Sequence, residues 1–290
     1  MRMMRTNGRL GLAWPALGLC VLLLASCATT GERIPQNPMA LLSSGADAYA
    51  CIPVEGNRLF VEQMLASFGF EDLSEQALSR IHSVYVSIRF SEGEGTKSII
   101  EGFALGSFPK AASGLIFPAS KGWLKQTERG AGEWYSLNGL RGAVPRSGVL
   151  LFSSEGDIAS LLRRLKSGGG DDAPVLPPRF ESAVLNATSG IGSLTGFFVQ
   201  NPKQPLSRFL GPDLTLPIAS AEAYIERDGT DNALFSMYLE TTDARSARMA
   251  ASLFRLALGA PFTQDGSTLS LENRSFPVGT LADAIKKMYF

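Results

Sequence analysis

The 290-residue chain holds few side chains able to do bond chemistry: one histidine and three cysteines, Cys20, Cys27 and Cys51. A histidine-rich metal site is therefore excluded, and any Ser-His-Asp or Cys-His relay has to pass through His82. That residue heads the alternating run "HSVYVSIRF", where a surface or strand-edge position suits it better than proton transfer. No G-x-S-x-G nucleophile elbow and no C-x-x-C pair occur. "EGEGTKS" approaches a phosphate loop but puts Thr96 between Gly95 and Lys97, and "SGIGSLTG" misses the G-x-G-x-x-G spacing. No catalytic residue, metal or cofactor is expected.

Three short motifs point the other way. Ser107-Phe-Pro-Lys110 fits S-x-x-K, Ser136-Leu-Asn138 fits S-x-N, and Lys166-Ser167-Gly168 fits K-[ST]-G. In motif order the chain superficially resembles the penicillin-binding serine acyl-enzymes. That resemblance implies a nucleophile and a lysine one turn apart at the start of a buried helix. Pro109 disfavours a helical Phe108, and all three motifs crowd into about sixty residues, so a non-enzymatic protein is the expectation.

The cysteine with the clearest chemistry is Cys27. Arg2, Arg5 and Arg9 precede an apolar stretch from Leu10 to Leu24, and Leu24-Ala25-Ser26 leads directly into Cys27. A run of about fifteen apolar residues is short for a membrane span and reads as a signal peptide. Its end resembles the lipobox of bacterial lipoproteins. The resemblance implies cleavage between Ser26 and Cys27, a diacylglyceryl group on the Cys27 sulfur, and acylation of the new N-terminus. Two or three chains make a stable anchor where one is marginal, at about 0.8 kcal/mol per buried methylene. Ala28, where an aspartate would retain the protein, implies the outer membrane.

The rest of the composition agrees. Cys20 leaves with the signal peptide and Cys27 carries lipid, so Cys51 has no partner for an intramolecular disulfide. Lysine plus arginine and aspartate plus glutamate number 27 each, with no basic stripe, so nucleic acid is not an expected partner. Residues 27–44 read as the lipidated N-terminus and a tether, rich in Thr, Gly, Pro and Asn at its start. "KSGGGDDAPVLPPRF" reads as a second break, a linker at 168–180 between a first half at 45–167 and a second at 181–290.

These halves share an order of patterns. Val84, Val86, Ile88 and Phe90 alternate with Ser83, Ser87 and Arg89, as Ala221, Ala223 and Ile225 alternate with Glu222 and Glu226. Each run turns at a glycine-containing tip and returns as a second strand. A helix follows the second hairpin, capped by Thr242 or Asp243, with Ala247, Ala251, Phe254 and Leu258 on one face. "DIASLLRRL" and "TLADAIKKM" close the copies, the latter burying Leu281, Ile285 and Met288 behind a Thr280–Asp283 capping pair. The fold expected is α+β: two weakly similar tandem subdomains, each an antiparallel sheet covered by helices on one face and partly polar on the other.

Two surfaces invite ligands. Trp123, Trp134 and Tyr135 cluster with Phe117 and either pack the core or line a groove for an acyl chain or partner. Arg245, Arg248 and Arg255, with Lys286 and Lys287, make either a solvated face or one that meets anionic head groups. The function expected is that of an envelope lipoprotein held to the membrane by acyl chains, binding envelope proteins or, alternatively, a lipid. Replacing Cys27 by alanine is expected to release the protein from the membrane fraction and abolish incorporation of labelled fatty acid; persistent labelling would remove the basis for the anchor.

Overall fold

Strand β1, Ala48–Pro53, shows how the chain is put together, because it has a neighbour from each half. On one edge it pairs antiparallel with β2, Ile81–Arg89; on the other it pairs antiparallel with β8, Thr195–Gln200, through Ala48 opposite Val199 and Tyr49 opposite Phe198. In this computed structural model, which describes residues 37–67, 78–91, 98–169, 173–190, 192–210, 217–229, 231–259 and 261–289, the two expected sets of strands therefore form one twelve-stranded antiparallel sheet. The class is α+β as expected, but the halves share a sheet where separate ones were anticipated.

The remaining strands extend outward on both sides. Beyond β2 lie β3 (Ile99–Gly106), β7 (Val149–Ser154), β6 (Leu140–Arg146), β5 (Gly132–Leu137) and β4 (Leu124–Glu128). Beyond β8 lie β9 (Ile218–Asp228), β10 (Asn232–Thr241), β12 (Thr268–Pro277) and β11 (Thr263–Asp265). The neighbour order β1-β2-β3-β7-β6 thus has a counterpart in β8-β9-β10-β12-β11. β4 and β5 are additional to that pattern.

Helices sort onto two sides of the sheet according to the alternation of the strands. On one side α2 (Ile158–Ser167) and α3 (Pro178–Ser189) bury Leu161, Leu162, Phe180 and Val184 against Tyr49, Cys51, Tyr85, Phe103 and Phe198. On the other, α1 (Arg58–Ser67) and α6 (Val278–Tyr289) set Phe60, Leu281 and Ile285 against Ala48, Ala50, Phe197 and Val199. The same side carries α4 (Lys203–Leu210) and α5 (Ala244–Leu258), which bury Leu206, Ala247, Ala250 and Phe254 against Met237, Leu239 and Leu271. Asp243 caps α5 by accepting the N–H groups of Arg245 and Ser246, and these bonds lower its pKa.

Local expectations fail where tertiary packing overrides polarity. In β2 the deeply buried side is Ser83, Tyr85 and Ser87, while Val84, Val86 and Ile88 are only half-buried. Tyr85 stacks on Phe103 and its hydroxyl meets Thr188 of α3 at 2.9 Å, so both sides of the central strands are covered. Part of the expected tether is core: Asn37 caps a 3-10 turn at Pro38–Leu41, and Met39, Leu41 and Leu42 are buried beneath α2 and α3. The 168–180 break also ends early, since Pro178 starts α3 and Phe180 has no exposed surface. Thr280 is no cap, because α6 begins two residues before it at Val278.

The joined core makes two outcomes testable. Phe180→Ala empties a site shared by both halves and is expected to lower unfolding free energy by about 3–5 kcal/mol while leaving a single cooperative transition in urea. Cys51 is fully buried and burial pushes its thiol up to about 12. It is expected to resist alkylation at neutral pH until the protein unfolds. Because the folded thiol titrates above its unfolded value, its contribution to stability is complete below about pH 8.5 and is lost as pH rises toward 12.

Candidate apolar ligand site

The second half of the sheet carries an apolar floor on its α6 side. Strand alternation points Phe197 and Val199 of β8, Ala221, Ala223 and Ile225 of β9, and Phe235 and Met237 of β10 toward the same helices. α6 lays Leu281, Ala284 and Ile285 over that floor, and Pro205 and Leu206 of α4 close one end. The fit is incomplete. Two adjoining cavities, of about 60 and about 90 Å³, share Leu206, Ile225, Phe235, Met237 and Ile285 as walls.

The lining decides what chemistry is open to them. Among the described residues Thr280 and Glu222 are the only polar ones on the walls, Glu222 alternating with the floor residues Ala221 and Ala223, and no histidine, cysteine or lysine is among them. Such space has nothing to hold a water with two or more hydrogen bonds, so it stays dry and takes hydrocarbon. At about 24 cal/mol per Å³, leaving the larger cavity empty costs roughly 2 kcal/mol, which an apolar guest would recover. Among the described residues no group of three or more histidine, cysteine, aspartate or glutamate side chains could hold a metal ion.

The residues singled out by sequence lie elsewhere. Trp123 and Tyr135 pack on Phe117 at centroid distances of 4.8 and 4.9 Å, in a small cluster with Ala104, Phe108 and Val144. Trp134, one residue from Tyr135 on β5, points to the opposite side and packs on the main core with the Arg141 guanidinium 5.6 Å from its ring. The three do not share a surface and do not line the cavities. Cys27 and Ser26 lie outside the described residues.

His82 is exposed on β2, a strand inside the sheet and not at its edge. Ser107 is also exposed, Pro109 is extended at φ −67° and ψ 129°, and the 3-10 turn at Lys110–Ala112 follows it. Ser107 and Lys110 thus do not share the helix that a serine–lysine pair needs. Lys166 instead donates to the Gly130 carbonyl at 2.8 Å, at the far end of α2.

Sequence reading had the pieces of the apolar site without joining them. The stripe of Leu281 and Ile285 and the alternation of Ala221, Ala223 and Ile225 were visible, but a stripe does not reveal whether its contact surface is filled. Among the described residues no helix is long and apolar enough to cross a membrane.

Comparison with known proteins adds the context. A chain titled outer membrane protein TP0453, from Treponema pallidum (strain Nichols), is 26% identical over 274 residues, covering 92% of this chain and 91% of that protein. Two crystal forms of TP0453 share the fold: form I superposes with a TM-score of 0.70 at 22% identity over 90% of this chain and 100% of that one. Form III gives 0.72 at 23% identity over 88% and 98%. The model of the family described as outer membrane-associated lipoprotein TP0453 matches residues 33–282, so the chain belongs to that family and is a lipid-anchored protein of the cell envelope at the outer membrane.

Proposed function

We propose that this lipoprotein holds an apolar chain, such as the acyl tail of a membrane lipid, between the β8–β10 floor and helix α6. The observation that carries the reading is the pair of adjoining cavities walled by Ile225, Phe235, Met237 and Ile285. Interiors normally leave few voids larger than water, and two sharing five walls mark a place where a helix meets its sheet imperfectly. At about 90 Å³ the larger is well below the roughly 300–1,000 Å³ of a drug-sized ligand site. Uptake of a long chain therefore requires α6 to move off Phe235 and Met237.

Anchoring through Cys27 supplies the geometry of delivery. Nine residues, 28–36, separate Cys27 from Asn37, where the described structure begins, so the ten steps between them reach at most about 35 Å. An acylated Cys27 thereby holds the apolar site within a few nanometres of a bilayer. Lipids leaving that surface meet the site at high effective concentration.

Ala284, half-buried on the wall of the larger cavity, separates ligand binding from folding. Ala284→Phe is expected to fill the space, keeping or raising the urea midpoint while abolishing uptake of a fluorescent fatty acid by residues 28–290, which include every described element. Native mass spectrometry of the same protein, exported without its anchor and kept free of detergent, is expected to show an added mass released as lipid on denaturation. A bare mass together with no fatty-acid uptake by the wild-type protein would overturn the proposal.

A further inference from the structure

The side of the sheet that carries α3 changes character across the second half. Over β1 and β8 it lies beneath α3 and is packed with aromatic rings. Farther out, alternation turns Ala221, Ile225, Met237, Leu239 and Leu271 of β9, β10 and β12 toward the helices on the opposite side. The α3 side of those strands is left to Tyr224, Tyr238 and a set of carboxylates. Glu226, Asp228, Glu240 and Glu272 are exposed there, and Glu222 and Tyr238 are half-buried.

The groups are joined into one surface. Glu222 lies directly across the β9–β10 pair from Tyr238, Tyr224 gives its hydroxyl hydrogen to Glu222, and the Tyr238 hydroxyl is bonded to Glu272. The two rings meet edge to face with centres 6.0 Å apart. The acidity is local: the whole chain balances 27 lysines and arginines against 27 aspartates and glutamates, yet the positions that alternation assigns to this side of β9, β10 and β12 include no lysine or arginine. None of these carboxylates has an ion-pair partner among the described residues.

One cation is already in place. Arg179 of α3 sets its guanidinium 3.8 Å from the centre of the Tyr238 ring. It is the second residue of its helix, where the macrodipole disfavours a positive charge, so the helix itself gives no reason for an arginine there. The tyrosine ring and the carboxylates around it do. A planar guanidinium stacked on a ring turns its N–H edge toward neighbouring carboxylates, a geometry that an ammonium group does not share.

We infer that this face of β9, β10 and β12 binds an arginine-bearing segment of another envelope protein, with Arg179 marking the stacking position and the unpaired carboxylates supplying the other contacts. The face lies on the opposite side of the sheet from the apolar cavities and works independently of them. Its charges are mostly exposed to water, so affinity is modest and salt-sensitive, and anchoring of both partners at one membrane raises occupancy.

Fluorescence anisotropy of a labelled peptide of alternating arginine and serine, titrated with residues 28–290 at concentrations where sedimentation shows a monomer, tests this. Binding is expected to weaken about tenfold between about 50 and 500 mM NaCl. Glu226→Gln with Glu240→Gln is expected to weaken it about tenfold, whereas Glu55→Gln with Asp283→Asn, an equal loss of charge away from the face, leaves it unchanged. Arg179→Gln vacates the ring and is expected to tighten binding about threefold; Arg248→Gln, the same change of charge on α5, is not. A lysine–serine peptide is expected to bind about threefold more weakly than the arginine one. All the substituted side chains are exposed, so thermal unfolding is expected to hold. No binding by the wild-type protein, equal losses from the two carboxylate pairs, or weaker binding by Arg179→Gln would overturn the inference. So would loss of the bound peptide as the protein self-associates at higher concentration, which would give the face to a second copy of this chain.

Discussion

Everything in this molecule hangs on the pairing of β1 with β8. The backbone bonds from Ala48–Cys51 to Gly196–Val199 turn two sets of strands into one sheet, and the side chains above and below those bonds belong to both halves. Tyr49 and Phe198, opposite each other across the pair, lie with rings 6.4 Å apart, and Phe180 of α3 packs 6.1 Å from Phe198. Below, Ala48 and Ala50 join Phe197 and Val199 beneath α1 and α6. Gly196 lets the ring sit close, since a Cβ there would lie 3.2 Å from Phe180 and the ring would have to shift by a few tenths of an ångström.

That seam is covered by different helices on the two sides of the sheet. α3 covers the junction with aromatic rings, whereas α6 and α4 cover the neighbouring floor. Space is left there among Ile225, Phe235, Met237 and Ile285. A protein anchored beside a bilayer can use such space for hydrocarbon without any polar recognition. Affinity there follows from buried area, and specificity is correspondingly modest.

The same arrangement distributes charge. Helices α4, α5 and α6 are all on one side of the second half, so the arginines of α5 and the carboxylates of β9 and β10 end up on opposite surfaces. In the first half Arg164 of α2 and Glu101 of β3 approach each other at 3.6 Å within the protomer. Similar strand order thus goes with different helix placement in the two halves.

Much of this was legible in the amino-acid sequence, because it depends on local physics. The signal segment and the Cys27 context are linear motifs, and membership of the lipoprotein family agrees with the lipoprotein nature they imply. The hairpins at 83–105 and 221–239, the Asp243 cap and the buried stripe of α5 follow from period and capping, which the chain specifies within a few residues. Tertiary structure alone decided that Pro38–Leu42 and Phe180 are core and not tether or linker, since a short Pro- and Gly-flanked apolar stretch has no period to betray its burial. It alone decided the β1–β8 pairing, the division of Trp123 from Trp134 and the unfilled space under α6. These depend on which distant surfaces meet and how well their shapes match, and that information resides in no single segment.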